Sequence, residues 1–238
     1  MRWAREHFRG DNSGRCGGLP ATYWMSPREQ RIENELSARH MLAVFSVARL
    51  GRQQSAATFR AIIKKARAYD AHEWITRCLI DSTRKRTSKD IGSPDSARLK
   101  RIANAEAASG HQKIGAGLWK MVARLCGPTG NEHEASAAYA AAEKCLSLSG
   151  GSGSAKLELY REWFGRAWQI RRYGEAIQVL RNLEDTAHKN GFKPDAIAAM
   201  DQRGVCLQEL GNYSEAEALH RRRPRPRRVE ASTSRSVP

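Results

Sequence analysis

Long apolar runs are missing from this 238-residue chain. The longest, MLAVFSVARL (41–50), has the length of a core helix, well short of the roughly 18–20 residues that cross a bilayer. The N-terminus, MRWAREHFRGDNSGRCGG, has no apolar stretch of the secretory kind. It is Arg-rich but carries Glu6 and Asp11, which speaks against an organellar transit peptide. Its Gly, Asn, Ser and Pro content makes residues 1–27 an expected disordered leader. Paired cysteines are also missing. Cys16, Cys78, Cys126, Cys145 and Cys206 are scattered, odd in number and form no C-x-x-C. They read as reduced thiols of a cytoplasmic protein, with Cys126, Cys145 and Cys206 as small core residues. Aromatics are few, at 7%, and β-branched runs are few, while Ala is plentiful, which favours helices over sheets. Acid is in short supply: 25 Asp and Glu face 41 Lys and Arg, a net charge of +16. Such a surface attracts polyanions. Much of the excess lies in two places, residues 60–101 and 221–238.

What the chain does have is a repeat. LGNYSEA (210–216) is preceded by IRRYGEA (170–176), TGNEHEA (129–135), IGSPDSA (91–97) and LGRQQSA (50–56). The closing alanines Ala56, Ala97, Ala135, Ala176 and Ala216 stand 41, 38, 41 and 40 residues apart. In most copies an apolar residue closes a first helix. Gly follows, suited to the left-handed conformation that ends helices. Pro94 falls near the start of a second helix, where its missing N–H costs little. The Ser or Glu before each Ala suits the first turn of that second helix, and the Ala lets two helices approach closely.

Apolar stripes at spacings of three and four flank the turns. Before them run Val44, Val47 and Leu50 in copy one, Trp119, Val122, Ala123 and Cys126 in copy three, Tyr160, Trp163, Phe164, Ala167 and Ile170 in copy four, and Met200, Gly204, Leu207 and Leu210 in copy five. After them run Ala135, Ala138, Tyr139 and Ala142, and then Ala176, Val179, Leu180 and Leu183. Each copy is therefore expected to be a helical hairpin. Copy two departs most: HEWITRCLIDSTRKRTSKD predicts a short helix near 72–83 and a basic loop. The run SLSGGSGS (147–154) predicts a flexible inter-repeat loop, with a hinge between two subarrays as the alternative.

These residues resemble a tetratricopeptide repeat array. Gly204, Leu207, Gly211, Tyr213, Ala216 and Leu219 fall where that family has its small, aromatic and turn residues, and Trp163, Ala167, Tyr173, Ala176 and Leu180 match in copy four. LGNYSEAEALHRR is similar to the longer repeats of about 40 residues in kinesin-light-chain-like and bacterial signalling arrays, beyond the usual period of about 34. The resemblance covers about residues 30–222, most strongly after 115. It implies an all-α fold, a right-handed α-solenoid of about five hairpins over 28–222, with a disordered basic tail at 223–238. It also implies a concave groove lined by the first helix of each unit. The polar and aromatic positions of that face are Arg49, Lys120, Arg124, Arg161, Trp168, Gln169, Asp201 and Gln208. Lys120, Arg124 and Arg161 would suit an acidic peptide or a C-terminal carboxylate. The Lys/Asn clamp of chaperone-binding members is not reproduced.

Nothing in the sequence marks catalysis. None of the seven His pairs with Cys or another His at metal-ligand spacing, and there is no G-x-S-x-G, phosphate-binding lysine loop or dinucleotide fingerprint. Neither a cofactor nor a metal is implied. The expected role is a non-catalytic scaffold that holds a protein segment. The alternatives are a helical-repeat protein bound to nucleic acid through RKRTSK (84–89) and RRRPRPRR (221–228), nonspecifically and by charge, or a regulatory fragment of a signalling protein. Pro224 and Pro226 end the last helix early. A fragment of a longer array, an ending out of frame with its ancestor and a basic arm all fit that ending.

Overall fold

Ser26 starts the first helix. Its hydroxyl accepts from Glu29 N–H at 3.2 Å, and its own N–H donates to the Glu29 carboxylate at 2.7 Å, a reciprocal capping box. Pro27 takes the first helical position. The computed structural model describes the backbone of residues 26–50, 52–86, 91–126 and 131–222, and their side chains outside 46–54 and 85–93. Most of the expected leader and all of the expected tail lie outside these residues, as do Gly51, Gly130 and residues 87–89 of the basic segment.

Among the described residues there are ten helices and one two-stranded ribbon. The helices are α1 (Pro27–Leu50), α2 (Arg52–Ala68), α3 (His72–Ser82), α4 (Ser96–Ala108), α5 (Gln112–Cys126), α6 (Glu132–Leu148), α7 (Gly153–Gln169), α8 (Tyr173–Lys189), α9 (Lys193–Glu209) and α10 (Tyr213–Arg221). Strands β1 (Arg84–Arg86) and β2 (Ile91–Pro94) lie between α3 and α4. The fold is all-α, in five successive helix pairs. α1 packs on α2, α5 on α6, α7 on α8 and α9 on α10. Successive pairs are joined by α2 against α3, α4 against α5 and α8 against α9, while α6 and α7 touch at fewer positions.

Most turns share one chemistry. At 69–71, 109–111, 170–172, 190–192 and 210–212 a left-handed residue follows the helix. The next N–H then reaches back five residues, as in Ala71 N to Ala66 O and Asn212 N to Leu207 O, both near 2.9 Å. This is the Schellman arrangement, which satisfies carbonyls that the helix end leaves bare. The left-handed residue is Gly110, Gly191 or Gly211, but Asp70 (φ 55) and Arg171 (φ 58) take the same conformation. Two second helices start on side-chain caps, where Asp95 accepts from Arg98 N–H and Asn131 from Glu134 N–H, whereas Asn212 at the start of α10 makes no such bond.

Copy two differs from the expectation. The short helix is there, but Arg84–Arg86 of the expected basic loop pairs with Ile91–Pro94 as a two-stranded ribbon. Arg84 stands opposite Pro94, and Arg86 opposite Ile91, in antiparallel register. Thr83, fully buried, donates its hydroxyl to Ile80 O at 2.7 Å, and Pro94 keeps Ser93 out of the helical region. Ile91 therefore closes no helix, Gly92 ends none, and Pro94 precedes the cap of α4 rather than opening it. As a result α3 and α4 barely touch, and α3 packs on α5 instead. The run 147–154 differs too: Ser147 and Leu148 finish α6, Gly153 and Ser154 open α7, and only 149–152 form the turn.

The apolar core falls into two clusters. One holds Leu36, Phe59, Ile62, Ile75, Leu118 and Tyr139. The other holds Tyr160, Val179, Leu180, Leu183, Leu207 and Leu219. Trp163 packs against both. The expected stripes 135–142 and 176–183 are buried at every named position. The motif alanine is buried in the last three copies, at Ala135, Ala176 and Ala216. Ala97 is exposed and Ala56 half-buried, with Ser55 buried one residue earlier. Leu210, expected on the core stripe, is 47% exposed at the end of α9.

Candidate functional site

A groove of about 850 Å³ runs along one side of the described helices. The first helices of four units line it: α1, α3, α5 and α7. Its apolar wall includes Ile80, Met121, Leu146 and Leu159. Gly117 lets α3 and α5 come close, since a Cβ there would sit 2.8 Å from Thr76 Cγ2. Arg77, Arg84, Lys113, Lys120 and Arg124 line it, against Glu73, Asp81 and Glu158. His40 and His72 complete its titratable side chains.

Most of these cations are already engaged. Lys120 Nζ donates to Glu158 Oε1 at 2.8 Å. Arg124 grips Glu162 with two bonds of 2.6 Å, and the bond from Lys120 lowers the Glu158 pKa. Arg77 lies 4.8 Å above the Trp74 ring, a cation–π contact. Arg84 Nε donates to Asp81 Oδ1 at 2.6 Å, and His40 Nε2 meets Asp81 Oδ2 at 2.8 Å. Lys113, exposed on α5, makes no ion pair among the described residues.

Of the positions read from sequence whose side chains are described, Lys120 and Arg124 line this groove and the others do not. Arg161, expected beside them, pairs with Asp195 of α9 at 2.5 Å. Trp168 packs edge-on against Tyr173 (5.3 Å between ring centres) and beside Phe164 (6.1 Å), so its ring belongs to the α7–α8 contact. Gln169 and Gln208 are exposed, and Asp201 is half-buried. Arg49 is in α1, and its side chain lies outside the described residues. The sequence reading missed His40, Arg77, Asp81 and Lys113. Arg77 and Lys113 had a signal, as polar positions on the first helices of copies two and three. His40 and Asp81, far apart in sequence, had none.

A pattern links the units. Every ion pair described between corresponding helices of neighbouring units has its cation on the earlier unit and its carboxylate on the later one. Arg67 pairs with Glu106, Lys100 with Glu134, Lys120 with Glu158, Arg124 with Glu162, Arg161 with Asp195 and Arg181 with Glu215. The His40–Asp81 contact runs the same way.

The buried polar groups are poor nucleophiles. Burial pushes the Cys78 thiol up to about 12 and the Cys206 thiol up to about 11, which leaves almost no thiolate at neutral pH. Burial first, and then the Glu162 carboxylate, raise the Tyr139 phenol, which donates to Glu162 at 3.3 Å and stacks on Trp163. Among the described residues no three His, Cys, Asp or Glu side chains gather as a metal site, and no helix is long and apolar enough to cross a membrane. No family model matches the chain, and a search of curated proteins finds no relative.

Proposed function

We propose that the chain is a non-catalytic adaptor of the tetratricopeptide kind, its hairpins stacked as a right-handed solenoid, that holds an acidic protein segment in the groove along α1, α3, α5 and α7. The observation that carries this reading is the groove's lining. Five cations stand there against three carboxylates around an apolar wall, and Lys113 pairs with no carboxylate among the described residues. Peptides that dock on helical faces use such apolar contacts for affinity and charge for register. The buried free thiols Cys78, Cys126, Cys145 and Cys206 fit the reducing cytoplasm.

The test uses the full chain and a Lys113→Glu/Arg77→Glu variant, with partners captured from source lysate in the presence of nuclease and identified. A partner bound by the parent, lost by the variant and reproduced by an acidic segment of that partner in isolation supports the reading. Partners that ignore the charge reversal, or vanish with nuclease alone, overturn it. The second outcome turns attention to nucleic acid, whose binding falls steeply with salt. The exposed cations Arg60, Lys64, Arg98 and Arg101 of α2 and α4 give that alternative its footing.

A further inference from the structure

The ribbon that interrupts the second unit leaves a space behind it. Because β1 and β2 hold α3 away from α4, a cavity of about 380 Å³ opens between α2, α3, β1 and α4. Phe59, Ile63, Leu79 and Ile102 give it an apolar lining. Three arginines from three different elements also line it: Arg60 of α2, Arg84 of β1 and Arg98 of α4. Asp81 is the one carboxylate among the lining residues, and its two oxygens are taken by His40 and Arg84. Asp95 is not among the lining residues, and its Oδ1 caps α4 at Arg98 N. Arg60 and Arg98 make no ion pair among the described residues, unlike Arg67 and Lys100 on the same two helices.

We propose that this cavity binds a phosphate monoester with a compact aromatic body. Guanidinium forks match phosphoryl oxygens in pairs. A phosphoryl dianion offers three terminal oxygens, enough for more than one arginine, where a carboxylate offers two. The apolar lining accounts for the rest of the ligand, and the volume lies within the usual range for small-molecule sites. It admits a single ring and its phosphate.

The test titrates the full chain with phenyl phosphate, with inorganic phosphate and phenol as separate probes for charge and ring. Calorimetry gives the affinity, and helical circular dichroism confirms that each variant is folded. Arg60→Gln and Arg98→Gln remove lining guanidiniums. Arg101→Gln removes an exposed cation of α4 outside the cavity. Phenyl phosphate should bind saturably and more tightly than either fragment, and R60Q or R98Q should weaken it about tenfold, the effect of losing one charge-assisted hydrogen bond, while R101Q leaves it within about twofold, the small effect of a remote exposed charge. Equal affinity for inorganic phosphate, equal loss in R101Q, or no saturable binding overturns the proposal.

Discussion

The fourth and fifth units join their helices through three residues each, at 170–172 and 210–212, whereas the second unit has strands Arg84–Arg86 and Ile91–Pro94 between its helices. Yet α4 still packs on α5, and α3 reaches α5 as well. A unit can therefore lose its inner turn without stopping the chain of contacts to the next unit, because those contacts rest on helix faces rather than on the turn. The consequence of the interruption is space: the groove and the cavity described above both border α3 and β1, while Tyr160, Leu180 and Leu183 are buried in the core of the later units.

The strongest challenge to this contrast is a pair of core truncations. Leu118 and Leu180 are both fully buried, one in each cluster, and either Leu→Ala should cost about 3 kcal/mol in urea unfolding. Hydrogen exchange then discriminates: L118A should loosen α5 and α6 first, and L180A α8 and α9. Uniform loosening by both would mean that the two clusters unfold as one.

Turn chemistry gives the next effect. Gly211→Ala, at φ 78, should lower stability by about 1–2 kcal/mol, and Arg171→Gly should raise it by about 1 kcal/mol, since a side chain in the left-handed region costs about that much. Equal thermal melts for Arg171→Gly and its parent would show that the fourth unit's turn is less constrained than the fifth's.

Smaller again is the Arg124–Glu162 fork across the third and fourth units. A double-mutant cycle with Arg124→Gln and Glu162→Gln should give a coupling of about 0.5–1 kcal/mol, since the arginine is half exposed. The smallest effect is that of Glu158, whose folded pKa is lowered by Lys120. Its contribution is present above its unfolded value of about 4.3 and is lost as pH falls through the lower folded value. Glu158→Gln should therefore cost a few tenths of a kcal/mol at pH 7 and nothing at pH 2, read from melting curves at the two pH values.

Much of the fold was legible. The recurring Ala positions marked the units, and in the last three copies they did so for a packing reason, since Ala135, Ala176 and Ala216 are buried at helix contacts. The stripes at 135–142 and 176–183 were legible because burial of one helix face leaves a period in the sequence. Copy two misled for a physical reason: an apolar residue followed by Gly closes a helix in LGNY but opens a strand in IGSP, and only pairing with β1 decides between them. Arg171 carried no sign of a left-handed backbone. The site was less legible. Lys120, Arg124 and Arg161 looked like a bare basic patch because their carboxylates stand 34 to 38 residues away, and no local window holds both partners.

That regular offset gives the molecule a direction. Between corresponding helices the cation faces forward and the carboxylate backward at each described joint. A duplicated unit slotted in the native orientation therefore meets the opposite charge on both sides. Growth by tandem copying is electrostatically permitted at those contacts.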